Sequence, residues 1–291
     1  SSGSGIAKSL SAGLNYRDVW GPKISTTGSV FVSQTDNELR QDRLRQTLFP
    51  DDSTAIQNIT EQRDSRNQNL RFNYRIEYKI DSLNSILYTP SVTLQHSETV
   101  NEDTSFIQSI NGLSQSYLAL TSKNRNTNER DGYNINNNIL YRRKLNKTGR
   151  TFTLGWTNAV NNSDGEGFSL APFTSYKSTG DVLFVRDQNL KNKKKTRGHN
   201  NVISTSYTEP VGKNKLVEIN YAFTSNQNTS DRKAFNLNTS SGKYDLENAQ
   251  QTNLFENGFT SHRAGANFRI QEKKYNYQFG LAAQFAELSS H

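Results

Sequence analysis

Leu70-Arg71-Phe72-Asn73-Tyr74-Arg75-Ile76-Glu77-Tyr78-Lys79-Ile80 is the stretch that decides the fold class. Every even position is apolar or aromatic, and every odd position is charged or Asn. Successive side chains of a strand point to opposite faces, so this segment reads as a strand with one greasy face and one wet face. A turn around Asp81 to Asn84 leads into a second such segment. Ile86, Tyr88, Pro90, Val92 and Leu94 fall on one face, and Thr89, Ser91, Thr93 and Gln95 on the other. Pro90 is awkward in a central strand, because it has no backbone donor for the ladder.

The same alternation recurs on both sides. It runs through Leu10 to Tyr16, Ile24 to Val32, Tyr133 to Tyr141 and Phe152 to Val160, with a weaker instance at Ile203 and Tyr207. It returns in Val217 to Phe223, Ala264 to Ile270 and Tyr275 to Phe285. About ten strands, paired as about five hairpins, are predicted. Their connections fall into two sets. Short ones lie at Trp20–Lys23, Asp81–Asn84, Asn146–Gly149, Pro210–Asn214 and Glu272–Lys274. Long polar ones run from Asp36 to Arg66, Ser97 to Asp131, Asn162 to Gly198 and Asn226 to Asn257. Connections of that length are rare in compact domains, whereas short turns alternating with long loops mark outer-membrane barrels. A tilted membrane strand needs about 9–11 residues, which these segments supply. Trp20, Tyr78, Tyr88, Tyr141 and Tyr275 sit beside the short turns, where an interfacial aromatic girdle belongs.

The composition explains why this pattern is needed. Of 291 residues only 32% are hydrophobic, and the mean hydropathy is -0.84. Averages of that kind suggest disorder, but 15 Phe, 13 Tyr and 2 Trp placed at period two argue against it. The chain has no cysteine, which excludes disulfides, thiolate zinc ligands and thiol catalysis. No apolar run is long enough for a transmembrane helix. No signal peptide is visible; Ser1 to Gly5 opens directly into a strand-like pattern, so a mature or internal piece is expected, with a linker scar as the plain alternative for these five residues. The expected fold is all-β: an antiparallel transmembrane β-barrel segment over residues 1–291, one domain, with short periplasmic turns and long extracellular loops. A soluble β-sandwich or propeller is the competing architecture, although soluble strands are commonly shorter.

The candidate functional residues follow from facing. Arg17, Arg71, Arg75, Lys79, Arg142, Arg263 and Arg269 take the wet face, with Glu77 and Glu218 as partial balance. They are expected to line a lumen, there to meet a plug or attract anionic solutes, or simply to pair across strands as a solvated wall. Phe72, Tyr74, Ile76, Leu154, Trp156, Phe279 and Leu281 are expected to face lipid. Phe168, Phe173, Tyr176 and the basic run Lys193, Lys194 and Lys195 are candidates for contact in a long extracellular loop. There the lysines would grip lipopolysaccharide phosphates or form a mobile charged tip. The formal charge of +8 is compatible with nucleic acid, but no helical basic face, zinc-finger spacing or RNA-binding aromatic motif accompanies it. His96, His199, His262 and His291 show no metal-ligand spacing, and Asp164-Gly165-Glu166-Gly167 lacks a calcium loop's length. No nucleophile elbow or phosphate loop is present. No enzyme activity, metal or cofactor is expected.

The run Ser11-Ala12-Gly13-Leu14-Asn15-Tyr16-Arg17-Asp18-Val19-Trp20-Gly21-Pro22-Lys23, preceded by Gly5-Ile6, resembles an early barrel hairpin of Bacteroidota outer-membrane proteins in the TonB-dependent receptor superfamily. Tyr74 to Tyr88 and Tyr277-Gln278-Phe279-Gly280-Leu281 are similar in style. The resemblance implies uptake of a nutrient across the outer membrane. It also implies a twenty-two-stranded barrel around an N-terminal plug, and TonB and a surface lipoprotein as partners beside outer-membrane lipid and lipopolysaccharide. No plug is evident, and about ten strands are less than half such a barrel. A fragment, an independent ten-stranded barrel and a subunit of a secretion or biogenesis assembly remain readings of the same residues. A barrel protease or lipase would need a Ser/Asp/His constellation at one rim, and none is apparent.

Overall fold

A computed structural model describes residues 5–50, 52–111, 113 and 115–290. Ser1 to Ser4 and His291, which figured in the sequence reading, lie outside them. The described chain is all-β. Its strands are β1 (Ile6–Trp20), β2 (Ile24–Leu48), β3 (Thr54–Lys79), β4 (Asn84–Tyr88), β5 (Ser91–Ile110), β6 (Ser116–Lys144) and β7 (Thr151–Leu170). They continue as β8 (Phe173–Tyr176), β9 (Val182–Arg186), β10 (Asn189–Gly212), β11 (Lys215–Asn238), β12 (Lys243–Glu247), β13 (Asn253–Gln271) and β14 (Asn276–Ser290). All belong to one sheet, every pairing is antiparallel, and the long strands follow one another as an up-and-down meander.

Each predicted short connection is a tight turn. Asp81 organises one of them, its Oδ1 accepting from the backbone N–H groups of Leu83 and Asn84, each at 2.7 Å. That pattern is an Asx turn. Gly21 turns the first hairpin at φ 65°, a left-handed conformation that glycine takes without steric cost.

β4 and β5 are one strand interrupted at Pro90. The register against β3 is unbroken, with Ile76 opposite Tyr88 and Asn73 opposite Ser91. Pro90 withholds its missing donor from β3 but still accepts from Tyr74 N at 3.0 Å, while Thr89 N donates to Asn138 O at 2.8 Å on the other side. Pro90 takes its donor out of the ladder while its carbonyl stays bonded, and a proline is accommodated in an interior strand.

The four long loops expected from the sequence are not loops. Asp36 is paired with Arg66, and the ladder continues to Leu48 opposite Thr54. Ser97 to Asp131 is likewise β5 and β6 paired out to Ile110 and Ser116, with a bulge between Ile107 and Gln108. Asn162 to Gly198 contains the ends of β7 and β10 and the small β8–β9 hairpin. Asn226 to Asn257 contains β12 between the ends of β11 and β13. β6 thus reaches 29 residues and β3 reaches 26, well over the roughly 9–11 that a tilted membrane strand requires. Hydrogen-bonded hairpins satisfy backbone groups that a thirty-residue loop would leave to water.

The sheet does not close on itself among the described residues. β1 pairs with β2 alone and β14 with β13 alone. Both edge strands are exposed along their whole length, with Leu14 at 79% and Leu281 at 86%.

Candidate functional site: the two faces of the sheet

Directly opposed residues of an antiparallel ladder share a face, so register assigns every long-strand side chain to one of two sides. One row runs Leu14, Val30, Phe72, Val92, Ile135, Val160. Another runs Ile139, Trp156, Ile203, Phe223, His262, Phe285. These rows form an apolar band that abuts the tight turns and crosses the whole sheet. Its large side chains stay open to the surroundings, Trp156 at 40% and Phe279 at 65%. All seven residues expected to face lipid, namely Phe72, Tyr74, Ile76, Leu154, Trp156, Phe279 and Leu281, lie on this face.

Within the band, Gly28 opposes Tyr74. A Cβ on Gly28 would meet Tyr74 Cδ2 at 2.6 Å, so the ring occupies the space a side chain would take. Phe72 stacks on the same ring at 6.1 Å between centroids. At the turn end, Trp20 Nε1 donates to Asp18 Oδ2 at 3.1 Å and Tyr16 OH donates to the same oxygen at 3.0 Å. Apolar bodies and polar tips are thus aligned along the band's margin.

The opposite face is polar and basic. Arg17, Arg71, Arg75, Lys79, Arg142, Arg263 and Arg269 all lie on it. So do Thr153, Asn267 and Gln278. Along the long strands, the carboxylates that register brings to this face are Glu61, Glu77, Asp103 and Glu218. Most are occupied locally. Glu61, 7% exposed, is held by Arg43 and Arg63, each at 2.8 Å. Arg75 reaches Glu77 at 3.1 Å, and Asn124 donates to Asp103 at 2.7 Å. Glu218 accepts from Asn267 at 3.1 Å. Most of the buried residues, including Ser105, Leu190, Ala234 and Ser261, are on this side as well.

Phe168, Phe173, Tyr176 and the lysine run are strand residues rather than loop residues. Phe168 is in β7 opposite Lys191, Phe173 and Tyr176 are in β8, and Lys193 to Lys195 are in β10, paired on both sides by β7 and β11. The run is therefore no mobile tip, and strand alternation divides it. Lys191, Lys193 and Lys195 share the apolar band's face, where Lys191 bonds Glu166 at 2.6 Å and Lys195 approaches Asp164 at 4.0 Å. Lys194 takes the polar face.

Beyond the band, on the same face, an acidic group spans β5 to β7. His96, Glu98 and Glu129 bring ligand atoms within 4.8 Å of one another, an arrangement that no linear spacing announced because Glu129 arrives by register opposite Glu98. Both ring nitrogens of His96 are already engaged, Nδ1 by Asp131 at 2.7 Å and Nε2 by Glu98 at 3.2 Å. These carboxylates, Asp131 foremost, raise the His96 pKa above its ordinary value. A concave site of about 600 Å³ lies at this boundary, floored by Val32, Leu70, Leu94 and Tyr133 and edged by His96 and Asp131.

No family model matches the chain, and no curated protein matches it. Among solved structures it is similar to the toluene transporter TodX of Pseudomonas putida, at 10% identity over 98% of this chain and 88% of that one, with a TM-score of 0.21. OccAB4 of Acinetobacter baumannii is similar at 7% identity over 97% of both chains, with a TM-score of 0.12. Scores of that size carry no argument, so the functional reading rests on the two faces.

Proposed function

We propose that this sheet is a stretch of the wall of an outer-membrane β-barrel that imports a solute, the apolar band facing lipid and the basic face lining the lumen. The observation that carries the reading is the segregation itself. A continuous exposed apolar band bordering the tight turns, backed by a wet face of arginines, is costly in water and favourable in a bilayer. The strand portions beyond the band are charged on both faces, as a wall standing clear of the membrane would be. The hairpin resemblance around Ser11 to Lys23 favours a wall of the TonB-dependent type, with a plug against the basic face and no catalysis by the barrel itself. The segregation serves equally a barrel subunit of a secretion or biogenesis assembly, and the plug distinguishes the two.

Trp156 supplies the test. Replacing Trp20 by Phe leaves it as the sole tryptophan of the chain. In vesicles of brominated phosphatidylcholine its fluorescence should be strongly quenched, while a tryptophan placed at Thr153, on the other face, should stay bright. Equal quenching at both positions, or at neither, overturns the reading. A photocross-linker at Arg71 should then capture a plug segment in an importer, and a different polypeptide in an assembly subunit.

A further inference from the structure

We infer that the polar face carries an oxyanion-binding site built by Arg130, Lys194 and Arg232. The three come from β6, β10 and β11 but fall in one register row. Arg130 opposes Gly165, Gly165 opposes Lys194, and Lys194 opposes Arg232. Among the described residues none of the three has an acidic partner within ion-pair distance. Arg130 Nε donates to Ser163 Oγ, which ties the guanidinium down beside the row.

Three features make this a receptive site rather than a set of scattered charges. Lys194 and Arg232 stand directly opposite each other, and like charges so placed destabilise a sheet unless a counter-ion lies between them. Gly165 contributes no side chain, and a Cβ there would meet Arg130 Cβ and Cγ at 3.7 and 3.8 Å, so Arg130 leans across β7 toward Lys194 with nothing at Gly165 between them. A phosphate-sized group placed over this row meets a guanidinium on one flank and an ammonium on the other. The next row toward the tight turns adds the hydroxyls of Ser163, Thr196 and Ser230, each able to donate to an anion.

The opposite face of the same strands is the internal contrast. There Lys193 opposes Lys233 in the adjacent register position, but Glu166 lies 3.8 Å from Lys193 and compensates it. The acids of this region, Glu129, Asp131, Asp164 and Glu166, all lie on that compensated side. Uncompensated cation density in this region therefore lies on the polar face, beyond the apolar band. Farther along the same face Arg142, Arg263 and Arg269 continue the basic surface toward the tight turns. The ligand class is a solute carrying a phosphate, sulfate or clustered carboxylate group. That this solute is cargo rests on the import reading, whereas the site itself does not.

Inorganic pyrophosphate is the probe. The full chain is folded in micelles free of phospholipid, and binding is followed by calorimetry. Parent protein should bind saturably. The double variant Lys194→Gln/Arg232→Gln should bind roughly a hundredfold more weakly, about tenfold for each of the two charge-assisted bonds lost. The double variant Lys193→Gln/Lys233→Gln removes the same charge from the other face and should leave affinity unchanged. Circular dichroism confirms the fold of each. Equal weakening by both variants would reduce the effect to net charge and overturn the site, as would parent protein that folds but does not bind. Adding phosphatidylglycerol to the micelles should not displace pyrophosphate. Displacement by the lipid would mean that this face meets a bilayer, which sinks the solute assignment. Because no bilayer is needed, failure here is distinct from failure of the tryptophan test.

Discussion

At the scale of single residues, what a side chain does in this sheet is set by the residue across from it. Gly28 is tolerated in an interior strand because the Tyr74 ring lies over it, and the ring is held in place because nothing at Gly28 competes. Gly28→Val should force the ring out and cost about 1–3 kcal/mol, as overpacking does. In Tyr74→Ala the same substitution should cost much less, and the difference is the coupling between the two positions. Urea unfolding from lipid vesicles measures all four corners of that cycle. Additive effects would mean that the ring does not cover the glycine. Tyr74 is legible in the sequence as a lipid-facing residue, but its pairing with Gly28 is not, because register alone brings the two together. Arg130, Arg232 and Glu61 were passed over for the same reason. Their significance comes from neighbours that the register brings alongside, Lys194 opposite Arg232, Gly165 opposite Arg130 and Arg43 bonded to Glu61.

At the scale of elements, the alternation was legible where one face meets an apolar environment and illegible where both faces are wet. Leu70 to Ile80 announces a strand. Thr60-Glu61-Gln62-Arg63-Asp64-Ser65-Arg66 does not, because both its faces are polar, yet it is the same strand β3. The four long segments therefore read as loops in the sequence and are largely paired strands in the structure. Tight turns were readable throughout, since Gly21-Pro22, Asp81 to Asn84 and Gly212 to Asn214 carry turn chemistry. What the sequence did not disclose is how those turns are tied to neighbouring strands. Glu209, at the end of β10, binds Arg150 at 2.6 Å and Lys147 at 2.9 Å across from the β6–β7 turn, and Tyr207 donates to it at 2.7 Å. Arg150 above all, then Tyr207 and Lys147, hold its pKa down to about 2 from an ordinary 4.5. A depressed carboxylate stabilises the fold above its unfolded pKa, and the contribution disappears as pH falls through the folded value. The turn should therefore stay clasped at pH 5 and loosen between about pH 4.5 and pH 2. Carboxyl carbon NMR of Glu209 should report a midpoint near the lower figure in the parent and a higher one in Arg150→Ala. A parent midpoint at 4.5 would show that the clasp does not form.

At the scale of the whole molecule, the unresolved demand is the pair of open edges. β1 descends toward the first tight turn and β14 ascends from the last, so the two edges run antiparallel to each other. Their apolar residues, Leu10 and Leu14 on one and Phe279, Leu281 and Phe285 on the other, are as lipid-compatible as any in the band. In hydrocarbon each unpaired backbone group costs several kcal/mol, so a lipid-facing sheet cannot leave these edges bare. They pair either with each other or with additional strands. Because the edges already have the orientation of neighbours, any strands inserted between them must come in even number if antiparallel pairing is kept throughout. The direct alternative gives a narrow lumen, filled by the arginines of the polar face and unfit for a large solute; the inserted alternative gives a lumen wide enough to hold a plug. Substitution of Leu14 and Leu281 by cysteine, in a chain that has none of its own, separates the two. Direct pairing would bring edge residues within a disulfide's Cα separation, about 4.4–6.8 Å. Scanning position 14 against positions 277 to 287 covers every register that direct closure could adopt near the band. The import reading expects no efficient intramolecular bridge at any of them in the natural, membrane-inserted protein. A bridge forming in high yield at one register would close the sheet at its ten long strands, and a plugged importer could not be built from it.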